Sequence, residues 1–442
     1  MMFETFSQEL YEKELAELFV RFPSVQNVPF SDAYKPGLER MCAFNELLGC
    51  PDSRFKVIHV AGTNGKGSTS NMLASALSAH GYRTGLFTSP HIEDFRERMR
   101  VAGPGTQGTA AAQVSDMVPK EYALDFILRW KSDFERLSLS FFEITTGMAF
   151  RWFADMGCDY AVIEVGLGGR LDSTNIVDPE LSVITSIGLD HCDLLGHTLG
   201  EIAAEKAGII KAGRPVIIGE DRPETRPVFE GKAAQTGSMI LFAEDSEPSL
   251  WGDLAGIEGT MDLQGKYQVR NLRTVMTALD LLGIADSLSE DAIVHTALRM
   301  DFHGRWEKLS DAPLVICDIG HNSHALTNNF AQLEEMMASG RYDRLIVVYA
   351  VMADKDLDSI MPLMPECASW YFATPSTRRS LPSEKILEKY SAFRGSSEGL
   401  RAFGSVADAV SAALAAATSR SLVYIGGSTF AVSEAIPYFK TR

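Results

Sequence analysis

The sequence predicts an α/β protein built on mainly parallel sheets with helices over them. Three observations lead there. Apolar strand-like runs alternate with helical periodicity along the chain, several of those runs are nearly continuous and β-branched, and a glycine-rich turn joins one run to a helix near residue 62.

Strands are expected at Phe55–Val60, Thr84–Thr88, Tyr160–Val165, Leu181–Ile187 and Pro215–Ile218. Further strands are expected at Leu314–Ile319, Arg344–Ala350, Trp370–Thr374 and Leu422–Ile425. Runs with little polar alternation suit strands covered on both faces. Apolar residues at helical spacing predict helices over Ser68–His80, Leu199–Ile210, Val269–Leu282, Ala325–Ala338 and Val406–Ala417. Two stretches break the rhythm. Ala102–Ala112, rich in Gly, Ala and Thr, reads as a flexible loop, and the polar Glu220–Leu263 as a small β excursion or a connector. A domain change is expected near Met300–Gly304, dividing the chain into 1–300 and 301–442.

Bulk properties narrow the function. The chain has 442 residues, 45% hydrophobic and 22% charged, which is ordinary for a globular protein with a sizeable core. Met1–Phe22 lacks the basic and apolar regions of a signal peptide, and no run approaches the roughly 18–20 apolar residues of a membrane span, so a cytoplasmic protein is expected. A net charge of −17 argues against nucleic acid or an anionic membrane as partner, though not against an anionic small substrate. The six cysteines show no CxxC pair, so free and mostly buried thiols are expected rather than structural zinc or disulfides.

The strongest local signal is Val57-Ile-His-Val-Ala-Gly-Thr-Asn-Gly-Lys-Gly-Ser-Thr69. Gly62, Gly65 and Gly67 allow backbone N–H groups to turn inward, with Thr63 and Asn64 between them. The helix that follows adds positive potential where a phosphate would sit. Lys66 can reach the outer phosphates, and Ser68 can cap the helix or approach Mg2+. Ligands of parallel sheets gather beyond the carboxyl ends of strands. Glu164 stands at such an end, as an oxygen donor suited to a hard cation. His191 follows the next strand, flanked by Asp190 and Asp193. His91, after Ser89-Pro90, is on a loop that would face the same region. His80, His197 and His295 have no such setting and read as structural or exposed.

These residues together resemble one family. Ala61-Gly-Thr-Asn-Gly-Lys-Gly-Ser68, Thr88-Ser-Pro-His91, the run from Glu164 to Asn175, Ser186-Ile-Gly-Leu-Asp-His191, Glu205-Lys-Ala-Gly-Ile209, Gly304-Arg-Trp306 and Asp318-Ile-Gly-His-Asn322 are similar to segments of folylpolyglutamate and dihydrofolate synthases, in the same order. Gly320 and Ser323 depart from the family pattern, where Ala and Pro are common. The resemblance implies an N-terminal P-loop ATPase domain and a smaller C-terminal Rossmann-like α/β domain. It implies an ATP-dependent ligase that adds L-glutamate to dihydropteroate or a reduced folate, working as a monomer. It places Mg2+ on Ser89, Glu164 and His191, nucleotide contacts on Asn271, Arg305 and Asp318 beside the phosphate loop, and the pterin near Phe142, Leu171, Asp172 and Ser173. Phe142 suits ring stacking, and core packing fits it as well. Lys66 and His191 are expected in the catalytic apparatus. Lys206 is read two ways: helical periodicity fits a surface lysine paired with Glu201 or Glu205, and the resemblance implies a lysine carbamylated by CO2. A nucleotide-hydrolysing switch protein is the rival from another class.

Overall fold

The computed structural model describes residues 6–24, 35–103, 112–245 and 254–440. It divides into two compact units, Met1–Asp262 with Gln268–Phe302, and Leu263–Tyr267 with His303–Arg442. The short piece Leu263–Tyr267 groups with the second unit because Lys266 N donates to Gln332 Oε1 (2.9 Å) and the Tyr267 hydroxyl to Asp318 Oδ2 (2.6 Å).

The first unit carries eight strands: β1 Lys56–Ala61, β2 Thr84–Phe87, β3 Met99–Ala102, β4 Ser115–Met117, β5 Tyr160–Glu164, β6 Leu181–Ile184, β7 Val216–Ile218 and β8 Ile240–Phe242. Their order is β4-β3-β2-β5-β1-β6-β7-β8. All pairings from β2 to β8 are parallel, while β3 and β4 add antiparallel strands at one edge. β1 is central, with Val60 opposite Glu164 of β5 and Ala61 opposite Ile184 of β6. The loops leaving β1, β5 and β6 therefore emerge side by side at one end of the sheet, and they carry Gly62–Gly65, the segment after Glu164 and His191.

Helix Lys66–Ala79 is buried over nearly its whole length despite four serines and a threonine. Buried polar groups require partners. Ser75 Oγ donates to Ala292 O (2.8 Å), and the Arg299 guanidinium donates to Ser75 Oγ (2.9 Å) and Ser78 Oγ (3.1 Å). These bonds fix the helix that begins at the glycine-rich loop.

The expected β excursion or connector at Glu220–Leu263 is different. Its described part holds a helix at Arg226–Thr236, the edge strand β8 and a helix at Leu254–Thr260. Phe229 and Ala233 anchor the first of these through their buried side chains. Of the loop expected at Ala102–Ala112, residues 104–111 lie outside the described residues.

The second unit has six strands: β9 Glu307–Asp311, β10 Leu314–Asp318, β11 Arg344–Tyr349, β12 Ala368–Ala373, β13 Leu400–Phe403 and β14 Ser421–Gly426. The order is β13-β12-β11-β14-β10-β9, parallel except for the β9–β10 hairpin. Its core centres on the fully buried Trp370, packed edge-on to Phe330 and Tyr349. Removing such a ring costs about 3–5 kcal/mol. All six cysteines are free, but only Cys158 and Cys317 are buried, which corrects the expectation of mostly buried thiols. Among the described residues no helix is long and apolar enough to cross a membrane.

Candidate active site

β1 ends at Ala61, and the chain turns through Gly62–Gly65 into helix Lys66–Ala79. Gly65 has φ +85°, and a Cβ on it would lie 2.2 Å from Asn271 Oδ1. Only glycine allows both that backbone and that approach. Asn271 Nδ2 donates to Gln268 Oε1 (2.8 Å), and Gln268 Nε2 donates to Ser68 Oγ (3.2 Å). Asn271 is thereby brought to the loop from far along the chain.

A second segment buttresses the loop. Thr63 N donates to Ser186 O (2.7 Å), and the Thr63 hydroxyl both accepts from Gly188 N (3.0 Å) and donates to Gly188 O (3.1 Å). Thr185 Oγ1 donates to Asn64 O (2.6 Å), and Ser186 Oγ to the same oxygen (3.0 Å). Such cross-bracing fixes the backbone of the loop in advance of any ligand, using the N–H groups of Thr63 and Asn64 to do so. Lys66 Nζ lies over the loop, donating to Gly62 O (3.0 Å) and Thr63 O (3.2 Å). The loop residues are legible in the sequence. The bracing by Thr185, Ser186 and Gln268 is not, although the run ending in His191 begins with Ser186.

Glu164 closes β5 at 3% exposure and accepts from Ser89 N at 3.2 Å. The Ser89–Pro90 peptide that follows is cis. His191 has φ +52°, a left-handed conformation that costs about 1–2 kcal/mol with a Cβ present. Its own N–H donates to Asp190 Oδ1 (3.0 Å), and that carboxylate lies 3.8 Å from the ring Nε2. Asp193 is exposed. Among the described residues no three His, Cys, Asp or Glu side chains converge. The bond from its N–H brings Ser89 to Glu164, and a lone carboxylate suits Mg2+, which takes few protein ligands and fills its shell with water and substrate phosphate oxygens.

Beside Glu164, sequence reasoning passes over Arg98. Its buried guanidinium donates from Nε to His91 Nδ1 (2.9 Å) and lies 5.5 Å from the Phe141 ring. Burial lowers the Arg98 pKa to about 10, with Glu164 and Glu97 opposing the shift. His91 is held well below its usual pKa by burial and by Arg98, so it faces Arg98. His80 contacts Ser289 and Asp286, and His295 contacts Asp291.

The turn after Glu164 carries a second cluster. Asp172 Oδ2 accepts from Leu167 N (2.9 Å), and its Oδ1 accepts from Thr174 N (3.0 Å) and Thr174 Oγ1 (2.5 Å). Burial raises the Asp172 pKa against these donors. The half-buried Phe142 ring lies flat against Gly166, where a Cβ would come within 2.5 Å of Phe142 Cζ. Leu171 is half-buried, and Ser173 is buried with its hydroxyl unpartnered. Arg170 anchors the turn to helix Leu199–Ala207, through its N–H to Glu205 O (2.8 Å) and its side chain to Glu205 Oε1 (2.8 Å).

That anchoring corrects the surface reading of Lys206. Glu205 is taken by Arg170, and Glu201 caps its own helix by accepting from His197 N and Thr198 N. Lys206 itself is buried at 3% exposure. Burial first, and then the Lys66 ammonium, lower its pKa to about 7, with Asp190, Asp172 and Glu205 pulling the other way. Lys66, Asp190 and Asp172 thus all act electrostatically on Lys206.

The second unit holds the remaining candidates. Asp318, at the end of β10, accepts four hydrogen bonds: from Tyr267 Oη (2.6 Å) and Trp306 N (2.9 Å) on Oδ2, and from Gly320 N (2.7 Å) and Asn329 Nδ2 (2.8 Å) on Oδ1. Arg305 Nη1 donates to His303 O at 3.1 Å.

Comparison with known proteins agrees with this arrangement. Residues 140–279 match the Mur ligase middle domain, and residues 304–429 the Mur ligase, glutamate ligase domain. The dihydrofolate synthase/folylpolyglutamate synthase of Bacillus subtilis is 34% identical, over 74% of this chain and 78% of its own. That of Escherichia coli K12 is 32% identical over 92% of both. Among solved structures, Escherichia coli FolC in complex with DHPP and ADP superposes with a TM-score of 0.79 at 29% identity over 98% of both chains. A bifunctional folylpolyglutamate synthase/dihydrofolate synthase with Mn, AMPPNP and L-glutamate bound gives 0.75 at 27% identity, over 92% of this chain and 95% of that one.

Proposed function

Because the chain belongs to the dihydrofolate synthase/folylpolyglutamate synthase family, and so is an acid–amino-acid ligase, we propose that it joins L-glutamate to dihydropteroate and to the glutamyl tail of reduced folates, converting ATP to ADP and phosphate. The observation that best supports this reading is the packing of the cross-braced phosphate loop beside Glu164 and the Asp172 turn, at the ends of the adjacent strands β1 and β5.

A carboxylate resists an amine because oxide is a hopeless leaving group. Transfer of the ATP γ-phosphoryl group to the acceptor carboxylate gives an acyl phosphate and ADP. The deprotonated amine of glutamate then attacks the carbonyl carbon, and phosphate departs with the former carboxylate oxygen. Such chemistry calls mainly for alignment and charge neutralisation. Lys66 and the loop amides would hold the phosphates, and Asn271 would contact the nucleotide beside Gly65. Arg305 and Asp318 are the further residues expected to contact the nucleotide. Ser89, Glu164 and His191 would hold Mg2+, which when bound offsets phosphate charge. Phe142 would stack on the pterin, with Leu171, Asp172 and Ser173 around it.

Lys206 enters as a neutral amine. A pKa near 7 leaves the lone pair available. Attack on CO2 forms an N–C bond, releases a proton and yields a carbamate, which would place negative charge near Lys66 to help organise the cation. The chain would act as a cytoplasmic monomer on these small molecules, without nucleic acid.

The test is product analysis with each reactant withheld in turn. ADP and phosphate should form only with ATP, Mg2+, glutamate and a pteroate or folate acceptor together. AMP and pyrophosphate would overturn the acyl phosphate route, and acceptor-independent ADP formation would favour a nucleotide switch. Competition between dihydropteroate and tetrahydrofolate checks the double specificity, which is lost if dihydropteroate is not turned over.

A further inference from the structure

His59 is a fully buried histidine in the middle of β1, on the strand that leads into the phosphate loop but with no role assigned to it above. Its Nε2 lies 2.9 Å from Thr174 Oγ1, and its Nδ1 has no partner. Thr174 Oγ1 in turn lies 2.5 Å from Asp172 Oδ1. A hydroxyl has one proton. If Thr174 gives it to the carboxylate, its oxygen must accept from His59, which fixes the Nε2–H tautomer. Burial, with Lys211 adding to it, lowers the His59 pKa to about 3, so the ring stays neutral.

We propose that His59 is a positioning residue for the acceptor site: it commits the Thr174 proton to Asp172, and so holds the carboxylate that pins the Gly166–Leu167 turn against the Phe142 ring. The chain of contacts is continuous. His59 orients Thr174, Thr174 orients Asp172, Asp172 accepts from Leu167 N, and the Phe142 ring rests on Gly166. Unlike the phosphate loop, this relay reaches the side of the site read as holding the pterin, and it rests on that reading.

The position of His59 supplies the control. It stands three residues before Gly62 on the same strand. A general disturbance of β1 would raise KM for ATP, whereas loss of the relay should raise KM for the pteroate or folate acceptor alone. His59→Leu and Thr174→Val should each raise the acceptor KM about tenfold, the change that losing ~1.4 kcal/mol of hydrogen bonding produces, with KM for ATP within about twofold. Their combination should be little worse than either, because both break one chain. His59→Gln places an amide N–H where Nε2 lies and should recover most of the loss. His59→Asn places it toward Nδ1 and should not. Asp172→Asn is measured alongside. If it leaves the acceptor KM unchanged, the reading of the acceptor site fails and the proposal with it. If it raises KM while His59→Leu and Thr174→Val do not, or if those two raise KM for ATP equally, the proposal alone is overturned. Should His59→Leu fail to fold, Thr174→Val and the Gln–Asn contrast decide.

Discussion

Lys206→Met removes the amine and keeps an unbranched four-atom stem, and it should make a more stable but inactive protein. The lysine pKa falls from 10.5 to about 7. At about 1.4 kcal/mol per unit, that shift corresponds to roughly 4–5 kcal/mol of destabilisation near neutral pH. The sign follows from proton counts. Between pH 7 and 10.5 the unfolded chain keeps a proton that the folded chain has lost, so wild-type stability rises with pH by up to about 1.4 kcal/mol per unit. The Met variant lacks this dependence. In CO2-free buffer its advantage in urea denaturation should be about 4 kcal/mol at pH 7 and shrink steadily toward pH 10. Glutamate-dependent ADP release should fall about 10²-fold or more, and a short carboxylic acid in solution should restore part of it. In the wild type, at pH 7 about half of the Lys206 side chains would be neutral, against about three in ten thousand for an unshifted lysine. Removing CO2 and bicarbonate should therefore lower wild-type activity and leave the variant unaffected. Parallel stability curves for the two proteins would refute the burial argument. Near-normal turnover of the variant would remove Lys206 from the mechanism.

Three further outcomes follow from the site. Lys66→Ala and His191→Ala should each lower kcat by about 10²-fold or more in a folded protein, since one preorganised charge contact stabilises a transition state by roughly 3–4 kcal/mol; normal turnover in either removes that residue. Gly65→Ala should weaken nucleotide binding, measured calorimetrically with ADP, because its Cβ would meet Asn271 Oδ1 at 2.2 Å on a left-handed backbone; unchanged affinity would mean that Asn271 yields without consequence. Chelation of divalent cations should abolish ADP release and Mg2+ should restore it, and activity surviving chelation would count against Ser89, Glu164 and His191 as ligands.

Much of this arrangement is legible along the chain because strand ends advertise themselves. A buried parallel strand is an unbroken apolar run, so a glutamate closing it, such as Glu164, stands out. What escapes is either short or nonlocal. β3 and β4 are four and three residues long and carry Arg100 and Asp116, so no apolar run marks them. β9, Glu-Lys-Leu-Ser-Asp, is polar because it forms the hairpin edge of its sheet. Lys206 follows a helical period that looks exposed, yet it is buried, and the Gly169–Arg170 turn packs against its helix. The pairings of Asn271 with the Gly65 turn and of His59 with Thr174 join residues separated by more than a hundred positions, and local sequence patterns do not encode such distances.

The saturation of Asp318 has a consequence for whatever binds there. A carboxylate offers about four lone-pair sites, and all four of its acceptor positions are occupied from within the second unit. A ligand hydroxyl can therefore reach this carboxylate only by swapping places with a donor already present. Tyr267 is the one hydroxyl among the four donors, so a sugar alcohol arriving at Oδ2 would substitute like for like. The number of hydrogen bonds at the carboxylate would stay constant across that exchange. Its selectivity would reside in the fate of the released phenol rather than in the strength of the new bond.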